Sequence, residues 1–255
     1  MTSTSADPSL EGEAPGSPGA TVSDLPGDVQ LELDPTAAPE AGALDPKAFY
    51  EGLVAELATA RAALPADEAS FGAHQPLERA ELVEWLRFQA WYELQAAHFI
   101  GAWLAETPET EVFCALARQV HDEARHFKIV MGQLEALGES LDGWEPEPEW
   151  VAWVAEFYPA GADTLERVAA HNITGELGAA QGMEDLIPRV PPTVQKALGR
   201  ILPDERFHIA LGRTTVLRYA TTADAQQRVR TRVMDAFALE CAGRAAYDRR
   251  IRALT

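Results

Sequence analysis

The residues of this chain best suited to chemistry form two copies of one pattern, Asp122-Glu123-Ala124-Arg125-His126 and Asp204-Glu205-Arg206-Phe207-His208, both Asp-Glu-x-x-His. Side chains three positions apart on a helix share a face, so Glu123 with His126, and Glu205 with His208, can each offer a carboxylate and an imidazole to one metal ion. A single such pair is ordinarily a solvated surface feature. What lies upstream sets these two apart: Glu93 precedes Glu123 by 30 positions, Glu176 precedes Glu205 by 29, and the two copies stand 82 positions apart. One Glu from each of two helices, with a Glu-x-x-His from each of two others, is the ligand pattern of a carboxylate-bridged two-metal site in a four-helix bundle. The expected metal ligands are therefore Glu93, Glu123, His126, Glu176, Glu205 and His208. Glu184 competes with Glu176 on the same helix, but it lies only 21 positions before Glu205 and breaks the match between the halves. Carboxylates and imidazoles suit iron or manganese, and bridging carboxylates leave coordination positions open to dioxygen or peroxide.

Four helices must carry these ligands, and the apolar pattern supplies them. The first is expected over about 77–106, where Leu86, Ala90, Ala97, Ile100 and Leu104 share the face of Glu93. An ionised carboxylate on such a stripe is costly unless a cation, a base or a metal meets it. The second is expected over about 110–137, with Leu116, Val120, Phe127, Val130 and Leu134 around Glu123 and Gly138 as its left-handed stop. The third starts from a capping box of Asp163 and Glu166 and runs to about Leu186, with Asn172, Ile173, Ala180 and Met183 beside Glu176. The fourth spans about 192–219, and its Pro203, directly before the second motif, reads either as a kink in one helix or as a break between two. Between the second and third helices, the stretch "ESLDGWEPEPEWVAWVAEFYPAG" is long enough to be the crossover that joins two hairpins. Its Trp144, Trp150, Trp153, Phe157 and Tyr158 are expected to cover the outside of the bundle. Accessory helices are expected at both ends, one from Asp45 to about Leu64 and one over about 222–254 with an Arg-rich end.

Within this frame the segments "ELQAAHFIGAWLAE", "DEARHFKIVMGQLEALGE" and "DERFHIALGR" resemble the ferritin-like di-iron carboxylate superfamily, over about 76–220. They resemble its oxygenase-like and less characterised branches more than its storage ferritins. The resemblance implies an all-α chain: a ferritin-like four-helix bundle with one long crossover plus the accessory N- and C-terminal helices. It implies two metal ions, iron first, with manganese or a mixed pair as alternatives. Glu123 and Glu205 would bridge the metals, and Glu93 and Glu176 would be terminal ligands. Asp122 and Asp204, one residue before each bridging Glu, are expected to orient the ligating His of the opposite helix, with Arg125 and Arg206 neutralising them. His74, His98, His121 and His171 fall off the ligand positions, and Tyr92 is expected to point away from the site as packing. The implied activity is oxidation of a small organic substrate by dioxygen, served by an electron-donor protein. Peroxide or iron detoxification, of ferroxidase or manganese-catalase kind, and a non-catalytic metal-stabilised bundle are the alternatives, because this fold does not select a reaction. A homodimer is expected.

The whole chain bounds these readings. Its 255 residues carry 21 Lys and Arg against 40 Asp and Glu, a net charge of −19, which disfavours nucleic acid and anionic membrane surfaces as partners. Residues 1–45 hold nine acids and no Lys or Arg. The Pro-, Gly- and Ser-rich stretch 1–44 is expected to be a disordered acidic tail, and 45–255 a single helical domain. With no membrane-length apolar run and no basic, apolar leader, a cytoplasmic location is expected. Cys114 and Cys241 are isolated, so neither a disulfide framework nor a Cys-x-x-Cys metal site is indicated.

Overall fold

A computed structural model describes residues 38–64 and 76–254. Most of the acidic tail and most of the loop after the first helix lie outside these residues. The last part of the expected tail, 38–44, runs as a loop tied to the C-terminal half: the Glu40 amide donates to Thr221 O at 2.9 Å, and the Leu44 amide donates to Gln226 Oε1 at 3.0 Å.

The described residues are all-helical, with no strand among them. Helix α1 (Pro46–Ala62) starts where expected. Asp45 Oδ1 accepts from the Lys47 and Ala48 amides at 3.1 and 3.0 Å, and Pro46, which has no amide hydrogen to satisfy, takes the first position. Helices α2 (Arg79–Leu104) and α3 (Thr110–Ala136) form a hairpin across the short break, and Gly138 ends the second with φ +74°.

The crossover is itself helical. In α4, Pro148–Trp150 widens into a π-helical stretch, Val151–Phe157, and closes in a tight turn, Tyr158–Ala160. Helix α5 runs in two pieces, Thr164–Ala170 and Glu176–Leu186, joined by a π-helical turn, His171–Gly175. Asp163 caps it, accepting from the Glu166 amide at 2.9 Å. Helix α6 (Pro192–Tyr219) passes unbroken through Pro203, which settles that position as one helix rather than two. Helix α7 (Ala223–Arg252) closes the chain, capped by the Thr222 hydroxyl.

Helix α2 packs along α3, α3 against α6, and α6 against α5, while α1 and α7 cover the α5–α6 side. Phe49, Leu53 and Leu57 of α1 are buried with Ile173, Val216, Val229 and Val233. The crossover aromatics pack against the bundle as expected, and the last helix covers them in turn. Trp150, Trp153 and Tyr158 are buried because α7 lies over α4 and turns that surface into core. Trp150 Nε1 donates to Gly243 O at 2.8 Å, and Phe88 packs on Trp150 with ring centroids 4.6 Å apart. Gly243 eases the close approach, since a Cβ there would stand 3.1 Å from Trp153 Cε3 and the ring would have to give by a few tenths of an ångström. Among the described residues no helix is long and apolar enough to cross a membrane. Cys114 is exposed and Cys241 half-buried, both as free thiols.

Candidate metal centre

Six ionisable side chains meet where α2, α3, α5 and α6 converge, and all six are buried: Glu93, Glu123, His126, Glu176, Glu205 and His208. The ligand atoms of Glu93, Glu123 and His126 lie within 4.8 Å of one another, as do those of Glu123, Glu205 and His208. Each of these groups could hold a metal ion.

The oxygens are shared out by histidine. Nδ1 of His126 lies 3.4 Å from Glu123 Oε2 and 3.3 Å from Glu205 Oε1. Nδ1 of His208 lies 3.4 Å from the other oxygen of Glu123 and 3.5 Å from the other oxygen of Glu205. Glu123 and Glu205 thus each face both imidazoles. The remaining two carboxylates each serve one side: Glu93 Oε2 is 3.6 Å from His126 Nδ1, and Glu176 Oε2 is 3.6 Å from His208 Nδ1. Glu184, the competitor, is exposed.

The outward edges of the imidazoles meet aspartates across the α3–α6 contact. His126 Nε2 is 3.3 Å from Asp204 Oδ2, and His208 Nε2 is 3.7 Å from Asp122 Oδ2. Each His therefore faces the Asp of the other motif. Arg125 bonds Asp204, but Arg206 is exposed, and the guanidinium beside Asp122 is that of Arg118, with Nε 3.3 Å from Oδ2. Arg118 also stacks over the Phe207 ring, 3.6 Å from its centroid. One helical turn before Asp122 puts Arg118 on the same edge of α3, a relation that the motif itself does not display.

An inner layer of amides was not assigned a role on sequence grounds. Gln89 Nε2 donates to Glu93 Oε1 at 2.7 Å, and Gln119 Nε2 donates to Glu123 Oε1 at 3.1 Å and to Glu176 Oε1 at 2.7 Å. Asn172 Nδ2 in turn donates to Gln119 Oε1 and to the His208 carbonyl, both at 2.9 Å. The signal was present: an amide stands one turn before Glu93, Glu123 and Glu176 alike. His171 and Tyr92 also belong here. His171 is fully buried, with Nδ1 3.2 Å from Glu176 Oε1 and Nε2 3.3 Å from the Tyr92 hydroxyl. Tyr92 thus points toward the centre's flank and not away from it, where it meets His171, which lies in the π-helical turn.

Burial and mutual repulsion shape the titration of the cluster. Burial pushes Glu123 up to about 7, against the opposing pull of both histidines, and pushes Glu205 up to about 8 with help from the charge of Glu176. Glu176 is raised for the same reasons. Burial would raise Glu93 as well, but bonds from His126 and Gln89 hold it below the usual carboxylate range. For His126 and His208 burial favours the neutral ring, and the surrounding carboxylates outweigh it and raise both. His171 goes the other way, lowered to about 3 by burial and by the charge of His208.

The fit of these residues to metal ions rests on atoms left without partners. Nδ1 of His126, Nδ1 of His208 and Oε2 of Glu205 are buried and make no hydrogen bond. Buried polar atoms are ordinarily satisfied, and lone pairs converging on one place without a donor are what a cation would satisfy. No family model matches this chain, and no curated protein matches it.

Proposed function

We propose that the chain is a ferritin-like protein that holds two metal ions, iron first, between Glu93, Glu123, His126, Glu176, Glu205 and His208, and uses them to oxidise a small organic substrate with dioxygen. The observation that carries this reading is the sharing of Glu123 and Glu205, each with one oxygen toward either histidine. A single ion would need only one of those oxygens; two ions side by side need both. Charge agrees, because four carboxylates and two neutral imidazoles are balanced by two divalent cations.

A pair of redox-active ions, when bound, supplies electrons for the reduction of dioxygen. The chain's own residues do the rest. Asp204 stands at hydrogen-bond distance from His126 Nε2 and Asp122 3.7 Å from His208 Nε2, and their charge favours the tautomers that turn each Nδ1 lone pair inward. Gln119 ties Glu123 to Glu176 across α3 and α5, and Gln89 fixes Glu93. The six side chains are themselves buried, which keeps bulk water from between them.

The test is metal content per chain, on protein produced with iron and manganese both available and purified without chelator. Two irons are expected, with substrate-dependent oxygen uptake as the following measurement. Two manganese ions would favour peroxide chemistry, and no metal even after anaerobic reconstitution would overturn the reading.

A further inference from the structure

We infer that the acidic stretch 24–34 of this chain docks on the outward face of α3 and α6. That face is cationic on a chain whose net charge is −19. The stretches 112–134 of α3 and 194–219 of α6 hold eight Lys and Arg, and their only acids are Asp122, Glu123, Asp204 and Glu205. All four acids already face the histidines of the centre. Arg118 and Arg125 pair with the two aspartates, while Lys128, Lys196, Arg200 and Arg206 are exposed and meet no carboxylate among the described residues. On α7, by contrast, Arg228, Arg230, Arg249 and Arg250 each meet one. Lys196 and Arg200 stand four apart on one helix, a spacing at which like charges repel.

The chain carries the complement of this face. Residues 1–37 hold seven acids and no Lys or Arg, and the four nearest the described chain are Asp24, Asp28, Glu32 and Asp34. The stretch also joins the bundle at the matching end. The Glu40 amide donates to Thr221 O just beyond α6, and at that same end Arg218 of α6 stands 3.7 Å from Glu111 of α3. Reach and spacing agree. Extended chain covers about 20 Å from Ala38 back to Glu32, and the helix axis covers about 21 Å from Ala220 back to Arg206. Asp28, at about 33 Å, then comes level with Arg200 at about 30 Å, and Asp24 has chain to spare for Lys196 at about 36 Å.

Other occupants fit less well. A two-fold contact with a second copy would set these cations against one another. A separate acidic protein would have to compete with a tethered segment, whose effective concentration at the face is in the millimolar range. That tether also lets exposed ion pairs, individually weak, act together. The docking uses none of the six buried side chains of the centre and is independent of what they hold.

The chain has three lysines, Lys47, Lys128 and Lys196, and two of them lie on this face. The experiment treats a mixture of ordinary and nitrogen-15-labelled full chains with a water-soluble carbodiimide, which joins lysine amines to nearby carboxylates, and maps the links by mass spectrometry. Lys128 or Lys196 is expected to join Asp24, Asp28, Glu32 or Asp34 within one isotopic form, and the links should vanish in about 1 M NaCl, where the Debye length is about 3 Å. Lys47 and Glu51, 3.8 Å apart on α1, supply the control link. A second measurement titrates octaglutamate at low salt by calorimetry. The full chain carrying Asp24→Asn, Asp28→Asn, Glu32→Gln and Asp34→Asn should bind it at least about tenfold more tightly than the wild type, because the face is no longer covered. Adding Arg200→Glu and Arg206→Glu should abolish that gain. No link from Lys128 or Lys196 to the stretch while the control forms, links only between isotopic forms, or equal octaglutamate binding with and without the four acids would overturn the inference.

Discussion

Glu123 and Glu205 differ from the other carboxylates of the centre in one respect, that each spends its two oxygens on different histidines. Replacing either by Gln removes charge from both halves at once. Glu123→Gln and Glu205→Gln should therefore each lose both ions, whereas Glu93→Gln should lose affinity mainly on the His126 side and keep part of the metal. Glu184→Ala, at an exposed position, should leave content unchanged. Metal per chain after dialysis decides the matter, and equal loss in all four variants would sink the assignment. The aspartates act one step further out. Asp204→Asn keeps the shape beside His126 Nε2 but weakens the acceptor, and an outer partner of a ligating His is worth about 10–100-fold in metal affinity. The expected result is that drop with the helical circular dichroism signal intact.

At the scale of elements, α5 must approach α6 closely enough for Asn172 to reach both Gln119 and the His208 carbonyl. Gly212 permits it: a Cβ there would stand 2.8 Å from Asn172 Cβ and 3.2 Å from the Asn172 carbonyl carbon. Gly212→Ala should therefore destabilise the fold by about 1–3 kcal/mol, the usual cost of overpacking, in spite of the better helix propensity of Ala. A urea midpoint at or above that of the wild type would count against this contact. The same helices show what a sequence discloses. Ligand spacing, the caps at Asp45 and Asp163 and the stop at Gly138 are local or periodic, and they were legible. The π-helical turn at His171–Gly175 was not, because the one-position mismatch between the halves is shared with connecting loops of different length. Burial of Trp150 and Trp153 depends on where α7 lies, which no local pattern states. Arg118 in place of Arg206 is likewise a matter of which helix edge faces which, decided only when α3 meets α6.

For the whole molecule, the centre makes stability depend on metal and pH together. Without metal, protons must do the neutralising: burial raises Glu123 to about 7 and Glu205 to about 8 from an ordinary value of 4.5, and the carboxylates around His126 and His208 raise both rings. A carboxyl that holds its proton more tightly when folded stabilises the fold at low pH, and that contribution fades as pH rises from the unfolded value through the folded one. A histidine raised by its neighbours contributes below its unfolded value of 6.5 and loses that contribution as pH climbs toward its folded value. Both act in the same direction, so the metal-free chain should weaken steadily between about pH 4.5 and 8. Further acidification meets the opposite limb, because Glu93, Asp122 and Asp204 are lowered by their histidine and arginine partners and lose stabilising charge when protonated. Ions bound at the proposed centre would invert the upper limb. Ions displace the shared protons, so affinity grows with pH, and ligand at 100 times its Kd adds about 2.7 kcal/mol. Urea midpoints at pH 5, 7 and 8.5, with excess chelator and with excess Fe(II) under anaerobic conditions, should therefore diverge as pH rises: falling without metal, level or rising with it. Parallel curves would mean that metal and protons do not compete for these six side chains.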